Sequence, residues 1–144
     1  MRHPCMTCGA CCSQYRVSMH WMDTDASGGV VPHALTETFG THQVVMRGTW
    51  QSQPRCVALD ADIGTSSRCT IHAVRPQACR DVQASWESGA ASAQCDRARV
   101  AHGLPALTVA DWVPTIDVVL VDTIAPAALF GGVSNPHAGI APNV

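Results

Sequence analysis

The sequence predicts a small, irregular α+β fold with short strands and short helices pinned by cysteines. Three observations lead there. Four of the eight cysteines lie within eight residues, Cys5-x-x-Cys8-x-x-Cys11-Cys12, and the others, Cys56, Cys69, Cys79 and Cys95, follow before residue 96. Strand-like stretches are short and interrupted, and only two segments carry helix start and stop signals. Aromatic residues are scarce, one Tyr, two Phe and four Trp, so few large side chains are available to fill a core.

Taken in order, residues 1–14 form a cysteine knuckle in which Gly9 gives the backbone freedom to turn between ligands. Tyr15 to Met22 reads as a strand, ended by the polar loop Asp23 to Gly29. Residues 33–42 have weak helical character, and Gln43 to Met46 reads as a second strand. Cys56 to Leu59 and Cys69 to Ile71 flank a polar loop containing Gly64, a hairpin that would bring Cys56 and Cys69 together. Pro76 suits the start of a helix carrying Cys79. A second helix is expected over Ser92 to His102, with Ser92 as N-cap, Gly103 as C-terminal cap and Pro105 as stop. Cys95 then falls in its first turn, where the helix dipole favours a thiolate.

Residues 1–105 are thus read as one cysteine-cluster domain, and 106–144 as a C-terminal extension, partly disordered. In the extension Asp111-Trp112 closes a short helical stretch, Ile116 to Val121 reads as a strand, and the end is rich in Gly, Pro and Ala.

Clustered thiolates suit soft or borderline metals. Disulfides are the competing use of eight cysteines. The N-terminal residues lack the apolar stretch of a signal peptide, which places the chain in the cytoplasm, where thiols stay reduced. A Cys11–Cys12 bridge is disfavoured, because adjacent Cα atoms lie about 3.8 Å apart, below the roughly 4.4–6.8 Å that disulfides adopt. Eight thiols divide into two four-coordinate zinc sites, or into one zinc site and one four-cysteine iron–sulfur cluster, such as a [4Fe–4S] centre. Consecutive side chains diverge, so Cys11 and Cys12 point to two metals or to opposite sides of one multinuclear site; alternatively one of them packs as a small apolar residue. The spacing is not that of a bacterial ferredoxin, where three residues and not none precede the fourth Cys, and Pro follows it.

The net charge of −2 gives no electrostatic footprint for nucleic acid or anionic lipid. The most apolar stretch, Val113 to Val133, is broken by Asp117, Asp122 and Pro126, so no membrane span is expected. All nine basic residues are Arg, which leaves no side-chain amine for Schiff-base chemistry. His72 lies between two candidate ligands and is read as half-buried and structural. His3 is read as solvated, and His20, His33, His42, His102 and His137 show no ligand spacing. Arg75 and Arg80 flank Cys79 and either offset thiolate charge or are simply solvated. No protein partner is indicated.

The pattern Pro4-Cys5-Met-Thr-Cys8-Gly-Ala-Cys11-Cys12, with Pro54-Arg-Cys56-Val-Ala-Leu59, Cys69-Thr-Ile-His-Ala-Val-Arg75-Pro76-Gln-Ala-Cys79-Arg80, Cys95-Asp-Arg-Ala-Arg99 and His102-Gly-Leu-Pro105, resembles the CxxCxxCC cysteine-cluster family (YkgJ type) of zinc- or iron-chelating proteins. The resemblance covers most of residues 1–105. It implies bacterial origin and zinc or iron binding, with Cys5, Cys8, Cys11, Cys12, Cys56, Cys69, Cys79 and Cys95 as the metal-binding residues. Relatives are often labelled iron–sulfur oxidoreductases, and a flagellin lysine methylase carries the same cysteine pattern. An iron–sulfur redox or group-transfer enzyme, or a metal-delivery module, is therefore the alternative to a plain chelating protein. This chain departs from the family in having His72 where a Tyr is common, and Asp81-Val82 where an aromatic is usual after Cys79-Arg80.

Overall fold

The computed structural model describes residues 2–114. Within them the chain forms two small antiparallel sheets, two short α-helices and several single turns of 3-10 helix. This is the expected small α+β domain. The first sheet holds β1 (Ser18–His20), β2 (Thr36–Thr38) and β3 (Gln43–Met46), with β3 in the centre. Register pairs Met19 with Val44 and Thr36 with Met46. Val44, Val45 and Met46 are all buried, so this strand is covered on both faces. Met19, Val44 and Met46 join Val17, Val31, Cys56 and Ala58 in the largest buried cluster.

The second sheet is the hairpin of β4 (Leu59–Asp62) and β5 (Ser66–Cys69), in register from Leu59–Cys69 to Asp62–Ser66. Its strands lie further into the expected loop than their sequence suggests, and the turn is tightened to residues 63–65. Gly64 makes that possible with φ +87°. The knuckle packs directly on this hairpin. The Gly64 N–H donates to the Cys8 carbonyl at 3.0 Å. Gly9, at φ +71°, comes so close that a Cβ there would lie 2.9 Å from Ile63 Cδ1.

The helices α1 (Gln77–Asp81) and α2 (Ala93–Ala101) fall where the caps predicted them. Pro76 precedes α1, and Ser92 Oγ accepts the Cys95 N–H at the start of α2. Gly103 follows α2 with φ +72°. The segment 33–42 differs from expectation: a 3-10 turn at His33–Leu35 leads into strand β2 and no α-helix forms. Pairing with β3 overrides a local pattern that has no apolar face of its own. The first strand is also shorter than expected, because His20 already caps the 3-10 turn Trp21–Asp23 through Nδ1.

Beyond α2, Leu107 packs with Ala84 and Cys95, joined by Trp86 and Trp112, and a 3-10 turn spans Val109–Trp112. The strand expected over Ile116 to Val121 and the Gly/Pro/Ala-rich end lie outside the described residues.

Candidate metal centre

The knuckle is built from two 3-10 turns, Pro4–Thr7 and Cys11–Ser13, joined through Gly9. Pro4 presets the first turn, and His3 Nδ1 accepts the Cys5 N–H at 3.2 Å. With about three residues per turn, positions i and i+3 eclipse, which brings Cys8 over Cys5. The same geometry sends Cys11 and Cys12 about 120° apart. That divergence decides which distant cysteines each one meets.

On one side, α2 brings Cys95 to Cys11. The helix is tied to the end of the knuckle and the residue beyond it: the Tyr15 hydroxyl donates to the Gln94 carbonyl at 2.7 Å, and His102 Nε2 donates to the Ser13 carbonyl at 3.0 Å. The start of α2 is further held by Ser85, which is fully buried. Its Oγ accepts the Ser92 N–H at 2.8 Å and donates to the Asp96 carboxylate. On the other side, the Cys56 N–H donates to the Cys12 carbonyl at 2.9 Å. The hairpin then sets Cys69 opposite Leu59, and Cys79 on α1 packs onto the same buried cluster as Cys12, Cys56 and Cys69.

The electrostatics divide the thiols in the same way. Burial pushes the Cys5 thiol up to about 12, reinforced by Cys8, Cys95, Glu87 and, last, Cys12. Cys11 is pushed up to about 12 by burial, then by Cys95, Cys5, Cys8 and Cys12. Cys12 rises to about 11 through burial, then Cys56, Cys69 and Cys8. Cys79 rises to about 12 through burial and then Cys12, Cys56 and Cys69, with the Arg75 guanidinium pulling the other way. Burial also raises Cys56, partly offset by the backbone N–H groups of Ala58 and Leu59. With the packing, two neighbourhoods result, Cys5/Cys8/Cys11/Cys95 and Cys12/Cys56/Cys69/Cys79, and they adjoin at Cys12, which also acts on Cys5 and Cys11 and feels Cys8.

All eight cysteines are free thiols. Among the described residues, no three His, Cys, Asp or Glu side chains converge tightly enough on one point to hold an ion as they stand. The donor chemistry nonetheless fits zinc or iron, since each neighbourhood offers four sulfurs, the number a closed thiolate site takes. The raised thiols Cys5, Cys11, Cys12 and Cys79 are protonated at neutral pH, so a metal must displace protons to bind them. Zinc titration at pH 7 is therefore expected to release protons, with affinity falling as pH falls. Calorimetry in buffers of different ionisation enthalpy measures this; binding heat independent of buffer would contradict it. Without metal the linkage runs the other way at high pH. Folded-state thiols raised from 9.0 to about 12 cost the fold stability as pH climbs past 9.

Other residues depart from expectation. His72 is exposed, not half-buried, and Arg75 reaches over its ring and donates to its carbonyl at 2.8 Å. Of the two arginines, Arg75 acts on Cys79, whereas Arg80 braces the backbone through the Ala73 carbonyl at 2.8 Å. His3 is exposed as read but is not simply solvated: Nδ1 accepts from Cys5, leaving Nε2–H for Glu87 Oε1 at 3.3 Å. Glu87, 84 residues away, was invisible to a reading of local motifs. An open cleft of about 430 Å³ beside the knuckle is lined by Ser13, Gln14, Gln53, Arg55 and His102 among others. His102 there engages the Ser13 carbonyl, so the ring is not placed as a base on the Ser13 hydroxyl.

Residues 4–96 match the family model described as "CxxCxxCC: Putative zinc- or iron-chelating domain". The chain belongs to this family. It is 44% identical over 105 residues to "Uncharacterized protein YkgJ" of Escherichia coli O157:H7, covering 73% of this chain and 96% of that protein. It is 41% identical over 100 residues to a "Putative ferredoxin" of Acinetobacter calcoaceticus, covering 69% of this chain and 74% of the relative. No solved structure matches the chain. The family supports metal binding, by zinc or iron chelation, as the role of the cysteine cluster.

Proposed function

We propose that the protein is a cytoplasmic chelator holding metal at two four-thiolate sites, one formed by Cys5, Cys8, Cys11 and Cys95 and the other by Cys12, Cys56, Cys69 and Cys79. The observation that carries this reading is that adjacent Cys11 and Cys12 pack apart, Cys12 with Cys56, Cys69 and Cys79 on the main cluster and Cys11 with Cys8 on a satellite one, near Cys5 and Cys95. A thiol turns about a single Cα–Cβ bond, which lets each cysteine reorient towards an ion. A bound zinc would supply cross-linking of distant segments, and the chain's own residues supply the sulfur ligands and their surroundings. Free thiols in this number fit a reducing compartment. Among the described residues no helix is long and apolar enough to cross a membrane.

A second reading places iron in one of the sites. Its support is the relative named as a ferredoxin, although the cysteine spacing here is not the bacterial ferredoxin run. Metal analysis with an absorption spectrum, on protein purified without oxygen, separates the two. About two zinc per chain and no colour is the expected result. Iron with acid-labile sulfide moves the iron–sulfur reading, and with it redox or group-transfer chemistry, to first place. A chain without metal overturns both.

A further inference from the structure

Resting on the two-site reading above, we propose that the sites have different roles. The Cys12/Cys56/Cys69/Cys79 site is structural, and the Cys5/Cys8/Cys11/Cys95 site is an exchange site whose opening is restrained by a latch of His3 on Glu87 and Trp112.

Packing separates the two first. Cys12, Cys56, Cys69 and Cys79 all belong to or pack on the largest buried cluster, with Val17, Met19, Val44 and Met46. They come from four parts of the chain: the knuckle, the strand-entry segment before β4, the end of β5, and α1. Losing that metal would untie all four at once. The other site sits between two much smaller clusters, Cys8 with Ala10 and Ala98, and Cys95 with Ala84 and Leu107. Cys5 is exposed as a residue although its thiol is turned inward towards the buried Cys8 and Cys95, so it is this site's point of access. An incoming chelator therefore meets Cys5 first, and exchanges one sulfur–metal bond there for one of its own.

Charge points the same way. A zinc ion held by four thiolates is a centre of net charge −2. Arg75, beside Cys79, favours that charge at the site in the main cluster. Glu87, beside Cys5, opposes it at the other.

The latch is specific to the Cys5 site. Cys5 rides on the N-terminal 3-10 turn, which rests on β5 and is held at its outer end by His3. The His3 ring caps Cys5 N–H with Nδ1, donates from Nε2 to Glu87 Oε1, and stands edge-on to the Trp112 ring with centroids 5.0 Å apart. One side chain thus ties the ligand-bearing turn to the 84–90 segment and to the 3-10 turn at Val109–Trp112. Those contacts restrain Cys5 from swinging away from its neighbours.

The test uses the full chain loaded with zinc and challenged with the chromogenic chelator 4-(2-pyridylazo)resorcinol, following release against time. Two phases of equal amplitude are expected, with circular dichroism unchanged through the first. His3→Ala should speed the first phase by roughly three- to tenfold, the scale of one lost hydrogen bond and ring contact, and leave the second unchanged. His3→Asn keeps an acceptor for Cys5 N–H but cannot reach Glu87, so it should behave like His3→Ala while preserving the turn. A single release phase, or acceleration of both phases alike, overturns the exchange-site assignment. Protein that holds only one zinc at the start overturns the two-site reading itself, a failure distinguishable from the other.

Discussion

Stripping the metal from the intact chain with a strong chelator is expected to abolish its cooperative thermal transition. The core is too small to hold these elements together unaided. Its buried apolar side chains are mostly Val, Ala, Met and Cys, and the sheets have three and two strands of three or four residues. A structural zinc contributes an apparent ~10–16 kcal/mol in folding, comparable to or larger than the ~5–15 kcal/mol net stability of a typical domain. The raised thiol pKa values add to this dependence, because the thiols that metal would hold as thiolates are buried beside one another. Far-UV circular dichroism and calorimetry before and after metal removal check the point. A metal-free chain that melts at the same temperature as the loaded one would contradict it.

Much of this arrangement is legible in the sequence where local chemistry decides the outcome. Ser92, Gly103 and Pro105 bracket α2, Pro76 starts α1, and Gln43 to Met46 is the central strand as its apolar run suggests. The Cys-x-x-Cys spacing announces a turn that stacks its thiols. What is not legible depends on contacts made across the chain. Thr36–Thr38 becomes a strand because β3 offers it a partner, not because of its own pattern. Trp86 takes a left-handed φ of +70°, unusual for a bulky residue, and its indole N–H donates to the Leu107 carbonyl at 3.0 Å. Nothing in its neighbours forecasts that. Likewise the adjacency of Cys11 and Cys12 predicts divergence but not which of Cys56, Cys69, Cys79 and Cys95 joins each. That choice is made by α2, tied down through Tyr15 and His102, and by the backbone bond from Cys56 to Cys12. Glu87 beside Cys5 belongs to the same class of long-range feature.

The second large effect is expected from Cys12→Ser. Cys12 packs on the main cluster, so its replacement removes a ligand from that site and sets a hydroxyl against the cluster that holds Val17, Met19 and Met46. Loss of that site costs on the order of 10 kcal/mol, enough to unfold the domain. Cys11→Ser is a neighbouring change with a different expected outcome. Cys11 packs beside Ala10, Ala98 and Tyr15 in a satellite cluster, so one site is lost and the sheets around β3 persist. Two adjacent cysteines, replaced by the same residue, thus separate the two neighbourhoods within a single turn of chain.

The measurement that tests the central claim most directly is zinc content per chain, with a thermal melt, for Cys11→Ser beside the unaltered protein, with Cys12→Ser as its counterpart. The account predicts about half the metal and a retained thermal transition for Cys11→Ser, and loss of both metal and transition for Cys12→Ser. Full metal content in either variant, or identical behaviour of the two, would contradict the division of the eight cysteines into two separate sites.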